Sequence, residues 1–326
     1  MSNAFPDPTR GEVKFDPGGW VDRVAYPFVS RSLRLSEGRV HYVDEGVGEG
    51  EPIVFVHGTP SWSFEYRHLI RELCVSRRCI AFDHLGFGLS ERPATFGYRP
   101  EDHARVFAEF VARLGLQRFT LVVHDFGGPI ALPFAEAHPA RIARLVVLNS
   151  FMWPTEGAKL VRQARWAGSA LGRLLYRHLN FSLRVLMPFA YGDKRRLTSA
   201  VHGQYLAPFR AKAARESVLW ALARSLLGSR AHYAALWANR ERLAKIPALV
   251  LWGERDRALP ADYIQRWRQA LPQAQIELLA EAGHWPQEER PELVLEILQR
   301  FFGQTPAEAT GVRVGARDPA SQLAGA

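Results

Sequence analysis

Three residues of this 326-residue chain combine a reactive side chain with a setting suited to nucleophilic catalysis: Asp125, Asp256 and His284. Asp125 stands in Phe-Thr-Leu-Val-Val-His-Asp-Phe-Gly-Gly-Pro-Ile, residues 119–130. Leu121, Val122 and Val123 form an apolar run of the length expected for a strand buried on both faces. Gly127 and Gly128 allow a sharp turn, and residues 130–136 have helical composition. A strand, a tight turn and a helix with a reactive group at the apex make a nucleophile elbow. The apex group here is a carboxylate, and no Gly-x-Ser-x-Gly occurs in the chain. The competing reading of Asp125 is a helix-capping residue after an ordinary strand. Asp256 follows a strand expected over 248–252, in Gly253-Glu254-Arg255-Asp256-Arg257-Ala258-Leu259-Pro260. His284 follows a strand expected over 276–279, in Glu281-Ala282-Gly283-His284-Trp285-Pro286. Nucleophile, acid and histidine, each at the carboxyl end of a strand, are hard to explain as three separate structural residues.

The elements that must position them alternate along the chain. Residues 32–35 and 39–43 alternate apolar and polar positions around Glu37-Gly38, which predicts a β-hairpin. Ile53–Val56 predicts a buried strand ending in His57-Gly58-Thr59-Pro60, followed by a helix over 66–74. The strand 79–82 ends in Asp83-His84-Leu85-Gly86-Phe87-Gly88. Residues 101–114 read as an amphipathic helix with Val106, Phe107, Phe110, Val111 and Leu114 on one face. After the elbow comes a strand over 145–148, and then the β/α rhythm stops for about ninety residues of mostly helical, Arg-studded sequence. It resumes with the strand 248–252, a helix over 261–271, the strand 276–279 and a helix over 291–302. This order predicts a mostly parallel sheet flanked by helices. The core takes residues 1–150 and 246–303, a helical cap takes 151–245, and 304–326 reads as a disordered tail. The segment 1–30, rich in Pro and Gly, is expected to wrap the surface. Ligands bind at the carboxyl edge of such sheets, where the cap is inserted.

Composition narrows the function classes. A hydrophobic content of 47% with 23% charged residues is globular, and no apolar run approaches the ~18 residues of a membrane span. Residues 1–19 lack the apolar stretch of a signal peptide, and Cys74 and Cys79 read as reduced thiols, so a cytoplasmic location is expected. The formal net charge is +9, and 37 of the 42 basic residues are Arg. Residues 155–245 hold 17 Lys+Arg against four acids, a balance of +13, which leaves −4 for the remainder. No stacking or groove-reading motif accompanies this charge, so nucleic acid is not an expected partner. The expected partner is a small-molecule substrate.

His57-Gly58-Thr59-Pro60, Asp83-His84-Leu85-Gly86-Phe87-Gly88-Leu89-Ser90, Val123-His124-Asp125-Phe126-Gly127-Gly128 and Gly283-His284-Trp285 together resemble the haloalkane dehalogenase family of α/β-hydrolases. The likeness extends to Gly18-Gly19-Trp20 and Tyr26-Pro27-Phe28, and runs over about residues 15–302. It implies the α/β-hydrolase fold and a reaction that needs no cofactor and no metal. Asp125 would displace a leaving group from saturated carbon and form an alkyl ester. His284 would take a proton from the water that hydrolyses this ester, and Asp256 would hold the imidazole. The backbone N–H groups of Thr59 and Phe126 would form the oxyanion hole. Some dehalogenases carry the acid after the strand before the cap; that position is Asn149, so Asp256 takes the role, with Glu254 as the lesser candidate.

Two positions depart from the pattern. The family commonly has Trp after the nucleophile, whose indole N–H holds the departing halide; this chain has Phe126, which has no donor. The partner position, often Asn, is Thr59. Trp62, Trp153, Trp220 and Trp237 are the candidates to line the pocket and supply an N–H from elsewhere. Other electrophiles suit Asp125 as well. An epoxide hydrolase would need paired tyrosines from among Tyr176, Tyr191, Tyr205 and Tyr233, and a β-lactone decarboxylase would need no halide clamp. A non-catalytic ligand receptor on the same fold is the remaining class, at odds with an intact Asp125-Asp256-His284 set. Arg162, Arg165, Arg173 and Arg177 fall at near-helical spacing. A solvated helix face is the plain reading of them. A face lying on an anionic membrane is the second, and steering of acidic substrates the third.

Overall fold

The computed structural model describes residues 13–14, 19–48 and 50–304, and the expectations for the rest of the first 30 residues and for 305–326 lie outside them. Among the described residues nine strands form one sheet: β1 (Val13–Lys14), β2 (Arg31–Arg34), β3 (Arg39–Glu45), β4 (Ile53–Val56), β5 (Cys79–Phe82), β6 (Phe119–Asp125), β7 (Ile142–Ser150), β8 (Ala248–Gly253) and β9 (Gln275–Leu279). Their order across the sheet is β1-β2-β3-β5-β4-β6-β7-β8-β9. The first three run antiparallel, β3 meets β5 antiparallel, and from β5 to β9 every pairing is parallel. This is the α/β-hydrolase fold. Every residue of β4 to β8 is buried, which is why these strands read as continuous apolar runs. The order reverses between β4 and β6, and the parallel strands all end on one edge.

The flanking helices follow from the sequence pattern. Helix α1 (Arg67–Leu73) is shorter than the expected 66–74, because residues 63–66 form a tighter 3₁₀ turn. Helix α2 (Pro100–Arg113) buries Val106, Phe107, Phe110 and Val111 and opens on Pro100, which suits a position where an N–H would lack a partner anyway. Asp102 folds back to the N–H of Arg99 at 3.2 Å and caps its start. Helix α3 (Gly127–Ala137) leaves the elbow and packs on α2. Between β7 and β8 the ordered elements are helices: α4 (Ala158–Ala167), α5 (Ala170–Leu174), α6 (Met187–Ala190), α7 (Ser199–Leu206), α8 (Lys212–Ala214), α9 (Ala221–Gly228) and α10 (Arg230–Asn239). After β8 come α11 (Tyr263–Ala270), α12 (Pro286–Glu289) and α13 (Pro291–Gly303). Cys74 and Cys79 are both free thiols. No helix among the described residues is long and apolar enough to cross a membrane.

A tyrosine bound to a buried ion pair ties the helical segment to α1 and α12. Glu288 on α12 takes a hydrogen bond at 2.8 Å from Arg67 Nη2 on α1, and also accepts from Tyr205 Oη on α7. All three side chains are buried, and burial is tolerable because each polar end has a partner. The carbonyl of Ala190 on α6 accepts from the N–H of His284 at 3.0 Å, which ties the helical segment to the loop after β9.

Glycine is required where α3 begins. A Cβ on Gly127 would lie 2.2 Å from the carbonyl oxygen of Val56, a backbone atom of β4 that cannot step aside. Gly203 inside α7 has nothing within 4 Å of the same position. Gly127→Ala is therefore expected to lower unfolding free energy by ~1–3 kcal/mol. Gly203→Ala should raise it by ~0.5–1 kcal/mol through helix propensity. Urea unfolding of both variants checks this, and equal effects would contradict the close approach at the elbow.

Candidate active site

Asp125 is the last residue of β6 and stands at φ +48°, the left-handed region that a non-glycine residue adopts only when its surroundings hold it there. The surroundings do so. Ser150 Oγ donates to the Asp125 carbonyl at 2.6 Å, and the Thr59 N–H donates to Asp125 Oδ1 at 2.8 Å. Gly58 leaves room for the carboxylate, since a Cβ there would sit 2.5 Å from Oδ1. His284 Nε2 lies 3.4 Å from Asp125 Oδ2, and His284 Nδ1 is 2.7 Å from Asp256 Oδ2. The three residues from separate loops thus converge in one array, which the strand-end placement predicted. Glu254, the lesser candidate for the acid, is exposed and makes no bond to His284.

Asn149, which sequence reasoning treated only as a missing acid, brackets Asp256. Its Nδ2 donates to Asp256 Oδ2 at 2.8 Å, and its Oδ1 accepts from the Gly253 N–H at 2.8 Å. The other oxygen of Asp256 accepts from the Ala258 and Leu259 N–H groups at 2.7 and 3.0 Å. Asp256 therefore keeps one orientation and faces His284 as a fixed acceptor. Two further groups stiffen the histidine loop. His124 Nε2 donates to the His284 carbonyl at 2.8 Å, with its Nδ1 3.1 Å from Glu65. Glu289 accepts from the Gly283 N–H at 2.9 Å and from the Asp193 N–H at 2.8 Å, and burial pushes its carboxyl up to about 7. Neither Asn149 nor Glu289 belongs to a motif readable on its own. Each lies at a strand end or beside His284, the one signal that could have found them.

Electrostatics follow from this geometry. Burial raises the Asp125 carboxyl, but the His284 hydrogen bond and charge, His124 and the Thr59 amide outweigh it and hold the group below the usual carboxylate range. Burial lowers His284, but the Asp256 charge and the hydrogen bonds to Asp125 and Asp256 outweigh it and push the imidazole up to about 10. Both shifts favour a protonated imidazole beside an ionised Asp125.

Above this array lies a cavity of about 650 Å³. Phe151, Leu160, Phe181, Met187, Leu219 and Leu226 make its wall mostly apolar, and Thr59, Asp125, Phe126 and His284 form its floor. Phe126 packs edge-on against Phe151 at 5.3 Å. Its polar lining includes Tyr176, Gln163 and two cations, Arg162 and Arg257. None of Trp62, Trp153, Trp220 and Trp237 lines it, which corrects the expectation for these four. Trp62 donates to the Gln204 carbonyl at 3.1 Å and Trp220 to the Ala167 carbonyl at 3.2 Å. Trp153 and Trp237 pack edge-on against each other at 5.6 Å. The indoles that do line the cavity are Trp166 and Trp285. Of the four tyrosines named above, Tyr176 alone reaches it; Tyr205 is engaged with Glu288, and Tyr191 stacks on Trp285. Among the described residues no group of His, Cys, Asp and Glu could hold a metal ion.

With this geometry in view, comparison with known proteins gives one consistent answer. A family model described as the alpha/beta hydrolase fold matches residues 51–291. The chain is 38% identical over 285 residues to haloalkane dehalogenase 2 of Mycobacterium tuberculosis, covering 86% of this chain and 97% of that protein. It is 32% identical over 298 residues to a cis-3-alkyl-4-alkyloxetan-2-one decarboxylase of Shewanella oneidensis, covering 88% and 92%. The structure of haloalkane dehalogenase DbeA from Bradyrhizobium elkani superposes with a TM-score of 0.76 at 21% identity, over 86% of this chain and 98% of that one. The chain belongs to the α/β-hydrolase fold family. Within that family it is a haloalkane dehalogenase-like enzyme.

The raised value of His284 has a sign that can be measured. A histidine that titrates higher in the folded than in the unfolded chain contributes its full stability below about pH 6.5, and loses it as pH rises through about 10. Removing the Asp256 charge should remove much of this dependence. In Asp256→Asn, urea unfolding free energy should fall less between those pH values than in the wild type, while Glu254→Gln should follow the wild type. Activity should separate the same pair, with a loss on the order of 10²–10⁴ for Asp256→Asn and little change for Glu254→Gln. A larger loss in Glu254→Gln would move the role to Glu254.

Proposed function

We propose that Asp125 is the nucleophile of a two-step hydrolysis of an alkyl halide with a lipophilic body, carried out with His284 as the base and Asp256 as its orienting acid. The observation that carries this reading is the Asp125 side chain held between the Thr59 amide and His284 on the floor of an apolar cavity. Thr59 occupies Oδ1, which leaves Oδ2 to attack the carbon as the carbon–halogen bond breaks and the halide departs with its electron pair. The product is an ester on Asp125. Water then adds to the ester carbonyl carbon, and His284 takes its proton. The negative charge that develops on Oδ1 already faces the Thr59 N–H, and the N–H of Phe126 is the second candidate donor. Collapse of this intermediate releases the alcohol and returns the carboxylate.

The resting charge pattern supports the order of events. Esterification of Asp125 removes a negative charge and a hydrogen bond that both hold His284 protonated. The imidazolium then loses its proton more readily, so alkylation of the first residue makes a base of the third. Before alkylation, the same proton keeps Asp125 ionised and ready to attack.

A second reading is favoured by Phe126. Its ring lines the floor where a hydrogen-bond donor would serve a departing halide, and Thr59 Oγ1 is buried without a partner among the described residues. A β-lactone carries its leaving group within its own ring. Attack by Asp125 on the alkoxy carbon would break the C–O bond and free the ring carboxylate. Loss of CO₂ with return of the Asp125 carboxylate would then give an alkene, with no water consumed. The epoxide reading draws less support, since of the four tyrosines expected to form a pair only Tyr176 lines the cavity, where the second tyrosine is Tyr263 at the start of α11.

Two experiments test these assignments. In His284→Ala, incubation with a bromoalkane should build up an alkyl adduct on Asp125, located by peptide mass spectrometry; turnover retained in Asp125→Ala would refute the nucleophile assignment. Phe126→Trp should raise halide release. One donor aimed at the departing charge is worth about 10²–10³ in rate. The larger indole could cost the elbow ~1–3 kcal/mol of stability, so unfolding is measured alongside. Chloride, the poorer leaving group, should gain more than bromide. Brisk release of chloride by the wild type would show that another group serves as the clamp. Alkene and CO₂ from a β-lactone, with no halide from either protein, would select the second reading.

A further inference from the structure

We infer that the face of the helical segment around residues 162–189 docks on an anionic lipid surface and takes a lipophilic substrate from it. Large apolar side chains that stand exposed are scattered singly over the rest of the molecule, but they crowd together in this segment. Trp166 is 41% exposed, Leu171 55%, Leu174 54%, Leu179 58%, Leu186 38% and Phe189 50%. Trp166, Leu186 and Phe189 also line the cavity, so the apolar surface is continuous with its mouth. Leu171 and Leu174 share one side of α5, and Leu179 follows after one further turn that also carries Tyr176 into the cavity.

Charge decides which partner suits this surface. No Asp or Glu occurs between Glu156 and Asp193, while Lys159, Arg162, Arg165, Arg173, Arg177 and Arg184 all fall there. Arg173 and Arg177 pair with Glu216. The other four form no ion pair among the described residues, and all but Arg162 lie outside the cavity lining. Exposed leucines flanked by unpaired cations match the interface of an anionic bilayer, where apolar groups enter the acyl boundary and cations meet the headgroups. A second copy of the chain suits the surface poorly, because an isologous contact would bring the same cations face to face. A merely solvated face would explain the arginines but not the leucines.

Docking can be read without turnover, so its failure is separable from failure of the proposed reaction; only the delivery of substrate rests on that reaction. The purified full chain should cosediment with vesicles of phosphatidylcholine and phosphatidylglycerol, weakly with phosphatidylcholine alone, and less as salt is raised. Emission from tryptophan, with Trp166 at the surface, should shift to the blue on binding. Arg165→Gln with Arg184→Gln should weaken vesicle binding roughly fivefold for each charge removed. Leu171→Gln with Leu174→Gln and Leu179→Gln should weaken it further and leave kcat/KM on a water-soluble substrate unchanged, since none of the five lines the cavity. The salt dependence of the wild type tests the inference without any variant. No binding to phosphatidylglycerol vesicles at low salt would overturn it, as would binding that the leucine changes leave intact. A dimer in sedimentation that the leucine variant dissolves would also overturn it, in favour of self-association.

Discussion

Everything in the site depends on keeping one buried carboxylate ionised. Asp125 is almost fully buried, and an isolated carboxylate in that position would take up a proton and lose its nucleophilicity. Three features prevent it: the Thr59 amide, the His284 imidazolium and the neighbouring His124. Each is supplied by a different part of the chain, so the sheet has to be complete before the carboxylate can be reactive. The left-handed backbone at Asp125 and the crowding around Gly58 and Gly127 are the local cost of pointing the group at the cavity.

A second buried layer supports the first. The loop carrying His284 receives a bond from His124 at its carbonyl, gives one to Ala190 from its N–H, and has Glu289 folded under Gly283. Asp256 is gripped on one oxygen by Asn149 and on the other by two N–H groups of its own loop. Rigid supports of this kind let a catalytic array act without reorganising. They also couple the site to the helical segment, because Ala190 and Asp193 belong to it while Glu289 and His284 follow β9.

What could be read from the sequence divides along the same line. Asp125, Asp256 and His284 were legible because backbone rules place them: each ends a strand whose apolar run is continuous, and parallel strands end on one edge. The hairpin around Glu37-Gly38 and the amphipathic face of α2 were legible for the same local reason. The roles of Asn149, Glu65 and Glu289 were not, since their partners lie 107, 59 and up to 96 residues away and no periodicity records such distances. The tryptophans misled because an indole is as useful in packing as in a pocket. Trp62 and Trp220 satisfy their N–H groups on nearby backbone carbonyls, while Trp285, unremarkable beyond its neighbour His284, lines the cavity. Helical spacing alone also hid the exposure of Leu171 and Leu174, because α4 ends at Ala167 and α5 starts afresh after Ser169.

The floor and the wall of the cavity place different demands on a substrate. The wall is apolar and large enough for a long alkyl body, and it gains most from area removed from water. The floor carries the Asp125 and His284 side chains, while Phe126 beside them has no donor and Thr59 Oγ1 is enclosed. Binding energy from the wall cannot by itself replace that donor, because it acts on substrate and transition state alike. A leaving group that is intrinsically good, or one that stays tethered to the substrate, relieves the floor of the task. On the proposed reaction, a roomy apolar wall over a floor that carries Phe126 would favour lipophilic bodies with reactive electrophiles over small chloroalkanes whose departure depends on the protein.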